Sequence, residues 1–403
     1  MTLPPRREHR DPVARRRERH VPPTIRSRAM DAMSARAATG RFVLQRCADC
    51  RQVTYPPRDT CPRCWGTLVW EDQPRGATIV SQTTIRVSAD LYFRDHLPWR
   101  MGKIRLDAGP VALAHFHHAL AIGDRADVHL VLDRAGNAAL FAVPPGSPSN
   151  MADPQWREFV PPIEGRSVLV SDARSAIGLA VVHALRKAGA GMIVAGVPQP
   201  ARAGGPEAGL DTIDDVRTVP LDLTDGRSVT RCLANIGGPL DIVVNTARFV
   251  RACGVSTGNL VDQKRALDVG MLGLLRLAQA SAPLLKTRPS GAFVDILSIS
   301  ALAGDAGFAG FAAGEAARLS LLQSFRREMR PAGVRVINLF VGPTDDEDHQ
   351  SVPLPKLAPA RVASGLIEAL ERGLEELCVG DAAHEAMQRW LADPALYVRE
   401  TNA

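Results

Sequence analysis

Apolar and polar positions follow one rhythm before residue 150 and another after residue 164. In the first part, short runs of alternating character lie at Ala77–Ile85, Met101–Leu106, Val111–His117 and Asp127–Leu132, with Ala138–Val143 after the Gly136-Asn137 turn. Such short alternating runs predict half-buried strands, and their close succession predicts a small all-β barrel. In the second part, continuous apolar runs lie at Ser167–Val170, Met192–Ala195, Val216–Leu221, Asp241–Val244, Ala292–Leu297, Val334–Phe340 and Glu376–Val379. Helical stretches separate them, notably Gly178–Lys187, Leu260–Leu285 and Phe311–Arg330, the last ended by Pro331 and Gly333. Alternating strands and helices predict a doubly wound α/β parallel sheet of the Rossmann kind.

Turn-forming residues mark the join. Pro144-Pro145-Gly146-Ser147-Pro148-Ser149-Asn150 lacks a hydrophobic period, so residues 146–164 read as a linker. The predicted organisation is multidomain: a basic disordered leader (1–40), a cysteine-rich segment (41–70), a barrel (71–145), the linker, and an α/β domain (165–403). No internal repeat is visible.

Charge changes this picture little. Residues 1–28 hold nine arginines against Glu8, Asp11 and Glu18, which accounts for the whole net charge of +6. A polybasic arm can touch nucleic acid or anionic lipid, but its polarity and lack of period read more simply as a leader. Met30 and Met33 stand just before the ordered pattern and allow a later start. There is no run of uncharged apolar residues long enough to span a membrane, and no secretory h-region. Residues 42–150 carry twelve Lys/Arg against ten Asp/Glu. That balance, with aromatics as few as Tyr92, Phe93, Trp99 and Phe116, argues against nucleic acid as the barrel's ligand. His115, His117 and His118 read as surface or core residues.

The cysteines add chemistry. Four of seven fall in two knuckles, Cys47-x2-Cys50 and Cys61-x2-Cys64, and Cys232, Cys253 and Cys378 stand alone. Two knuckles present four thiolates to one tetrahedral ion, so the expected metal is a structural zinc with no open position. The pattern is that of a reduced, cytoplasmic protein and not of a disulfide framework.

The run Arg46-Cys47-Ala48-Asp49-Cys50, Tyr55-Pro56-Pro57-Arg58, Cys61-Pro62-Arg63-Cys64 and Leu68-Val69-Trp70 resembles the rubredoxin-like zinc-ribbon and OB-fold proteins that accompany acyl-CoA enzymes. Gly76-Ala77-Thr78-Ile79-Val80, Pro98-Trp99 and Leu106-Asp107-Ala108-Gly109 extend the resemblance over residues 42–143. It implies a partner of thiolases, thiolase-like aldolases or acyl-CoA hydratases that binds or channels the acyl-CoA without doing the chemistry.

Residues 165–400 resemble the short-chain dehydrogenase/reductase family. The glycine-rich turn that lets a dinucleotide pyrophosphate approach a helix N-terminus reads here Ser171-Asp172-Ala173-Arg174-Ser175-Ala176-Ile177-Gly178, with only Gly178 kept. Ala176 and Asp172 are expected to weaken NAD(P) binding, with Arg174 in partial compensation. The resemblance assigns cofactor contacts to Asp222, in Leu221-Asp222-Leu223-Thr224, and to Asn245, in Asn245-Thr246-Ala247-Arg248, where Arg248 takes a glycine's place. Either residue also serves simply as a turn former. Ala195-Gly196-Val197-Pro198 offers no acid for a ribose 2′-hydroxyl.

The catalytic set is the larger departure. The family's Ser is matched by Ser298, but the Tyr thirteen residues on is Phe311 and the Lys four further is Glu315. Phe311 has no proton to give, and Glu315 reverses the charge that lowers a tyrosine pKa. Asp268 stands where a helix Asn is usual. Tyr55, Tyr92 and Tyr397 are the chain's tyrosines, and none has Lys at +4. No catalytic residue is therefore assigned. The expected function is a non-catalytic accessory protein of acyl-CoA metabolism that binds a thiolase-like partner. Helices Leu260–Leu285 and Phe311–Arg330 are expected to support a homodimer, or a heterodimer with an active dehydrogenase subunit. The alternatives are a divergent NAD(P)-dependent reductase of a ketoacyl-CoA, and a nucleic-acid-binding OB protein.

Overall fold

The computed structural model describes residues 20–23, 27–147, 150–198, 209–210 and 212–402; most of the basic leader lies outside them. Strands β1 (Val43–Cys47), β2 (Val53–Thr54) and β3 (Leu68–Asp72) form a small antiparallel sheet in the order β2-β1-β3. Next come β4 (Gly76–Ile85), helix α2 (Leu91–Asp95), β5 (Trp99–Leu106), β6 (Val111–Phe116), β7 (Arg125–Leu132) and β8 (Ala138–Val143). These strands close a barrel in the order β4-β5-β6-β8-β7, with β6 and β8 parallel and the other pairs antiparallel. The predicted strand runs and the observed strands agree to within two residues at each end.

Two expectations are corrected. The leader is not structureless throughout: Arg28–Ala37 forms helix α1, capped by Ser27, and buries Met33 and Ala37 in the barrel core. Ser34 Oγ also accepts the Ala138 N–H at 2.9 Å. Arg36 and its charged neighbours hid a helix whose apolar face is carried by small residues. The linker is likewise built. Helix α3 (Pro154–Phe159) buries Trp156 and Phe159 against Trp99 and Phe141, and Asp153 caps it.

The second half is a seven-stranded parallel sheet made of β9 (Val168–Val170), β10 (Ile193–Val197), β11 (Val216–Pro220), β12 (Ile242–Asn245), β13 (Ala292–Ser298), β14 (Arg335–Val341) and β15 (Glu376–Val379). Its order is β11-β10-β9-β12-β13-β14-β15, so the crossover direction reverses between β9 and β12. Alternate strand residues feed two cores, because successive side chains point to opposite faces. Val168, Val170, Val244 and Ile296 meet α4 (Ala176–Lys187) and α9 (Pro359–Glu371) on one face. Leu169, Val243, Phe293 and Leu297 meet α5 (Gly226–Ala234), α7 (Gly273–Leu285) and α8 (Ala309–Met329) on the other.

The expected single helix Leu260–Leu285 is instead α6 (Leu260–Leu267), a π-helical turn (Asp268–Leu272) and α7. The wider turn sets Asp268 2.8 Å from Arg276 Nη1, which also donates to the Leu223 carbonyl. Helices α10 (Asp381–Ala392) and α11 (Pro394–Thr401) fold back so that Tyr397 enters the second core.

The halves are bonded together through main chain. The Ala38 carbonyl, just past α1, accepts the N–H groups of Glu375 and Glu376. Arg335 reaches from the start of β14 to the carbonyls of Leu132 and Phe159. Among the described residues no helix is long and apolar enough to cross a membrane.

Candidate functional site

The ribbon's four cysteines converge as their spacing requires. Their sulfurs all lie within 4.8 Å of one another, with Cys47 and Cys64 3.5 Å apart and Cys50 and Cys61 3.7 Å apart. Each knuckle ends on a left-handed residue, Arg51 (φ 60°) or Trp65 (φ 64°), whose N–H returns to the carbonyl of the first cysteine. Gly66 follows because a Cβ there would lie 2.0 Å from the Asp49 carboxylate. The N–H groups of Cys64 and Arg63 draw the Cys61 thiol down to about 7. Gly66 donates to Cys64, yet hydrogen bonding to Cys47 leaves that thiol pushed up to about 12. Crowded thiols of this kind cannot all ionise unless a cation holds them, so the donor set fits a zinc ion.

The second candidate is the crevice at the carboxyl ends of β9, β12 and β13, where the strand order reverses. The turn after β9 leads into α4, and Ser175 caps that helix by accepting the Gly178 N–H. Asp172 accepts the Arg174 N–H at 3.0 Å, and its carboxylate lies 3.5 Å from the Arg174 guanidinium. Thr246 exchanges two hydrogen bonds with the Asp172 backbone. A Cβ at Gly178 would lie 1.9 Å from the Asp172 carbonyl oxygen, so turn and helix can pack only over a glycine there.

The other two expected cofactor residues are engaged within the fold. Asp222 accepts the backbone N–H and the hydroxyl of Thr224. Asn245 is buried, accepts from Ser171 Oγ at 2.8 Å and donates to Asp295 at 2.6 Å. The bonds of Asp222 are those of a turn former, whereas Asn245 ties neighbouring strands together.

Ser298, Phe311 and Glu315 are brought together as the resemblance implied, but their chemistry is different. Glu315 is 2% exposed, accepts the Ser298 N–H at 2.6 Å and pairs with Arg318 one turn along α8. Arg318, fully buried, also pairs with Asp295 at 2.8 Å. Burial alone would depress Arg318, but Asp295 and Glu315 on either side hold it above its ordinary value. Arg248 adds a second cation. Burial pulls it down, Glu315 draws it back, and its Nη2 has no hydrogen-bond partner among the described residues. Asp295, Glu315 and Arg318 form a buried, ion-paired group, with Arg248 acting on Glu315 from nearby, where the family places a single lysine.

Beside this group lies a cavity of about 270 Å³, lined in part by Ser298, Ser300, Phe311, His349, Ser351 and Tyr397. Ser298 Oγ is 3.1 Å from Ser300 Oγ. His349 Nδ1 lies 2.7 Å from Asp346, whose carboxyl is lowered by hydrogen bonds from His349 and Thr344 against the cost of its burial. Sequence reasoning missed both His349 and Tyr397. The Asp346-x2-His349 spacing was available as a signal. Tyr397 comes from the far end of the chain, and no local pattern places it.

Residues 166–353 match the short chain dehydrogenase family, and residues 34–69 match the ChsH2, rubredoxin-like zinc ribbon domain. An uncharacterized oxidoreductase of Staphylococcus haemolyticus is 26% identical over 220 residues, 52% of this chain and 92% of that protein. A short chain dehydrogenase of Burkholderia cenocepacia, solved in complex with NADP, is 28% identical with a TM-score of 0.55, over 60% of this chain and 99% of that one. One from Streptomyces avermitilis shares the fold at 22% identity and a TM-score of 0.53, over 59% of this chain and 96% of that one. The expectation of an impaired dinucleotide site gains no support from these relatives.

Proposed function

Because the chain joins a rubredoxin-like zinc ribbon to a short-chain dehydrogenase domain, we propose that it acts as an accessory protein of acyl-CoA metabolism. In this reading the dehydrogenase fold binds ligand without transferring hydride, and the ribbon and barrel dock on a thiolase-like enzyme. The observation that carries it is the state of Glu315. A catalytic lysine must leave its cation free to act on a tyrosine and a ribose. Here that position holds a buried anion, spent on Arg318 and on the Ser298 N–H, with Phe311 in the tyrosine's place.

NADP is the first ligand to try in the crevice, since the Burkholderia relative was solved with it and the α4 N-terminus still faces that space. If bound in its reduced form it would supply a hydride donor; Arg174 is the cation of the turn for its phosphates, and Asn245 keeps the floor rigid. For the partner, Trp65 stands 81% exposed at the tip of the second knuckle, with Val69 exposed nearby on β3. An apolar side chain of that size in the open is a usual interface anchor. A homodimer, or pairing with an active dehydrogenase subunit, is compatible with the same fold.

Two measurements test this. Co-expression with a thiolase-like enzyme, followed by size-exclusion chromatography, should give one complex that Trp65→Ala weakens. NADH or NADPH mixed with ketoacyl-CoA substrates should show binding at most and no oxidation. Separate elution, together with an enzyme rate indifferent to this chain, would end the accessory reading.

A second reading has a specific observation in its favour. Tyr397 and His349 line the same cavity as Ser298, so an acid for carbonyl reduction could come from outside the usual helix. Turnover of a ketoacyl-CoA, lost in Tyr397→Phe or His349→Gln, would establish that reading.

A further inference from the structure

The junction of barrel and sheet, on the side away from the crevice, gathers four arginines, two of them without an ion-pair partner among the described residues. Arg134 comes from the β7–β8 turn, Arg166 from just before β9, and Arg330 and Arg335 from the passage between α8 and β14. They surround a small, partly open space of about 20 Å³, with Asp133 and Glu375 on its wall. That is room for one small ion.

The acids there are already engaged. Asp133 accepts the N–H groups of Ala135 and Asn137 and so holds the hairpin. Glu375 is shared between Arg330 at 3.2 Å and Arg326 at 3.6 Å. Arg134 pairs with Glu158 at 3.7 Å and donates to the Arg157 carbonyl. Asp241, near Arg166, is bonded by Arg288 at 2.6 Å.

Arg166 and Arg335 are left with carbonyls alone. Arg166 is 8% exposed, donates to the carbonyls of Asp241 and Ser290, and its Nε is buried without a partner. Arg335 donates to the carbonyls of Leu132 and Phe159. Neither has a carboxylate within ion-pair distance among the described residues. Leaving two guanidiniums uncompensated in a domain interface is costly, and an external anion removes that cost.

We propose that this junction binds a small oxyanion of the phosphate or sulfate class, held between Arg166 and Arg335 and fastening the barrel to the sheet. The planar guanidinium fork matches paired oxygens better than a spherical halide. Burial holds both groups down at about 10; Asp241 offsets this in part for Arg166, and Glu375 and Asp133 for Arg335, while Arg134 repels each, so both stay cationic at neutral pH. The site is independent of the crevice, which lies at the opposite ends of the strands.

The test uses the full-length chain in a non-coordinating buffer, with phosphate, sulfate or chloride titrated at constant ionic strength. The thermal midpoint should rise saturably with phosphate and sulfate, by roughly 3 °C or more, because a ligand of the folded state stabilises it by mass action. Arg335→Met should remove that response. Should that variant not fold, Arg330→Gln, whose side chain is a third exposed, should raise the phosphate concentration needed for half the response about tenfold. A midpoint indifferent to the anion, an equal response to chloride, or an unaltered response in the folded variants overturns the proposal.

Discussion

The ribbon and the crevice each gather four ionisable side chains in a small volume, and they solve the resulting problem in opposite ways. Cys47, Cys50, Cys61 and Cys64 share one sign of charge when ionised, so the group is incomplete until a cation arrives. Asp295, Glu315 and Arg318 carry both signs and pair with one another, and Arg248 acts on Glu315 from nearby. A cluster that lacks a counter-charge invites a ligand, whereas a cluster that supplies its own has become part of the core. The ion pairs beside the crevice meet the second condition.

The largest expected effect breaks the ribbon's side of this contrast. Elemental analysis should give one zinc per chain, and Cys47→Ser should lose it. Structural zinc contributes on the order of 10–16 kcal/mol, so residues 42–70 should become protease-sensitive while the sheet domain keeps its helical signal. Metal content near zero in the unmodified protein would contradict the closed site.

Next in size is the crevice. Arg318→Met leaves Asp295 and Glu315 buried without the cation that bridges them, which should cost about 3–5 kcal/mol in denaturant unfolding. Replacing all three charges with apolar residues should recover most of that loss. A cost under about 1 kcal/mol for the single change would mean that Arg318 does not hold the two carboxylates together.

A smaller effect separates the halves by pH. Burial depresses His115 and His129, both on the barrel, from 6.5 to about 4. Their unfolded forms take up protons first, so barrel stability should be whole above pH 6.5 and fall steadily toward pH 4. Trp99 donates its ring N–H to His115 Nδ1 at 2.9 Å, so its fluorescence should report the change. A flat profile over that window would place the two rings in water.

The smallest effect is the most pointed. Phe311→Tyr alone restores a hydroxyl beside Ser298 and should change stability by less than about 1 kcal/mol, with no gain in NADPH oxidation. Adding Glu315→Lys sets a third cation beside Arg248 and Arg318, and turnover should stay absent. Appearance of activity in either variant would show that the buried charges do not govern the crevice.

Legibility in the sequence followed distance along the chain. The metal centre could be read because its ligands are local and their spacing is itself geometry. The barrel and sheet could be read because each strand shows its period within a few residues. The lost tyrosine and lysine could be read because the family keeps them at fixed offsets on one helix. What escaped depended on contacts between distant segments: Tyr397 in the cavity wall, Arg248 turned inward, and the packing of Met33 that makes a helix of the leader's end. The π-helical turn escaped because Leu260–Leu285 keeps a helical apolar period through it.

Gly178 has one more lesson. Its missing side chain is demanded by the Asp172 carbonyl 1.9 Å from where a Cβ would sit, a constraint of folding that holds with or without a dinucleotide. Mutational drift after a change of role would therefore erase the other glycines of the turn and spare this one. In a lineage of such chains, the surviving glycine would record ancestry, and only the erased ones would record use.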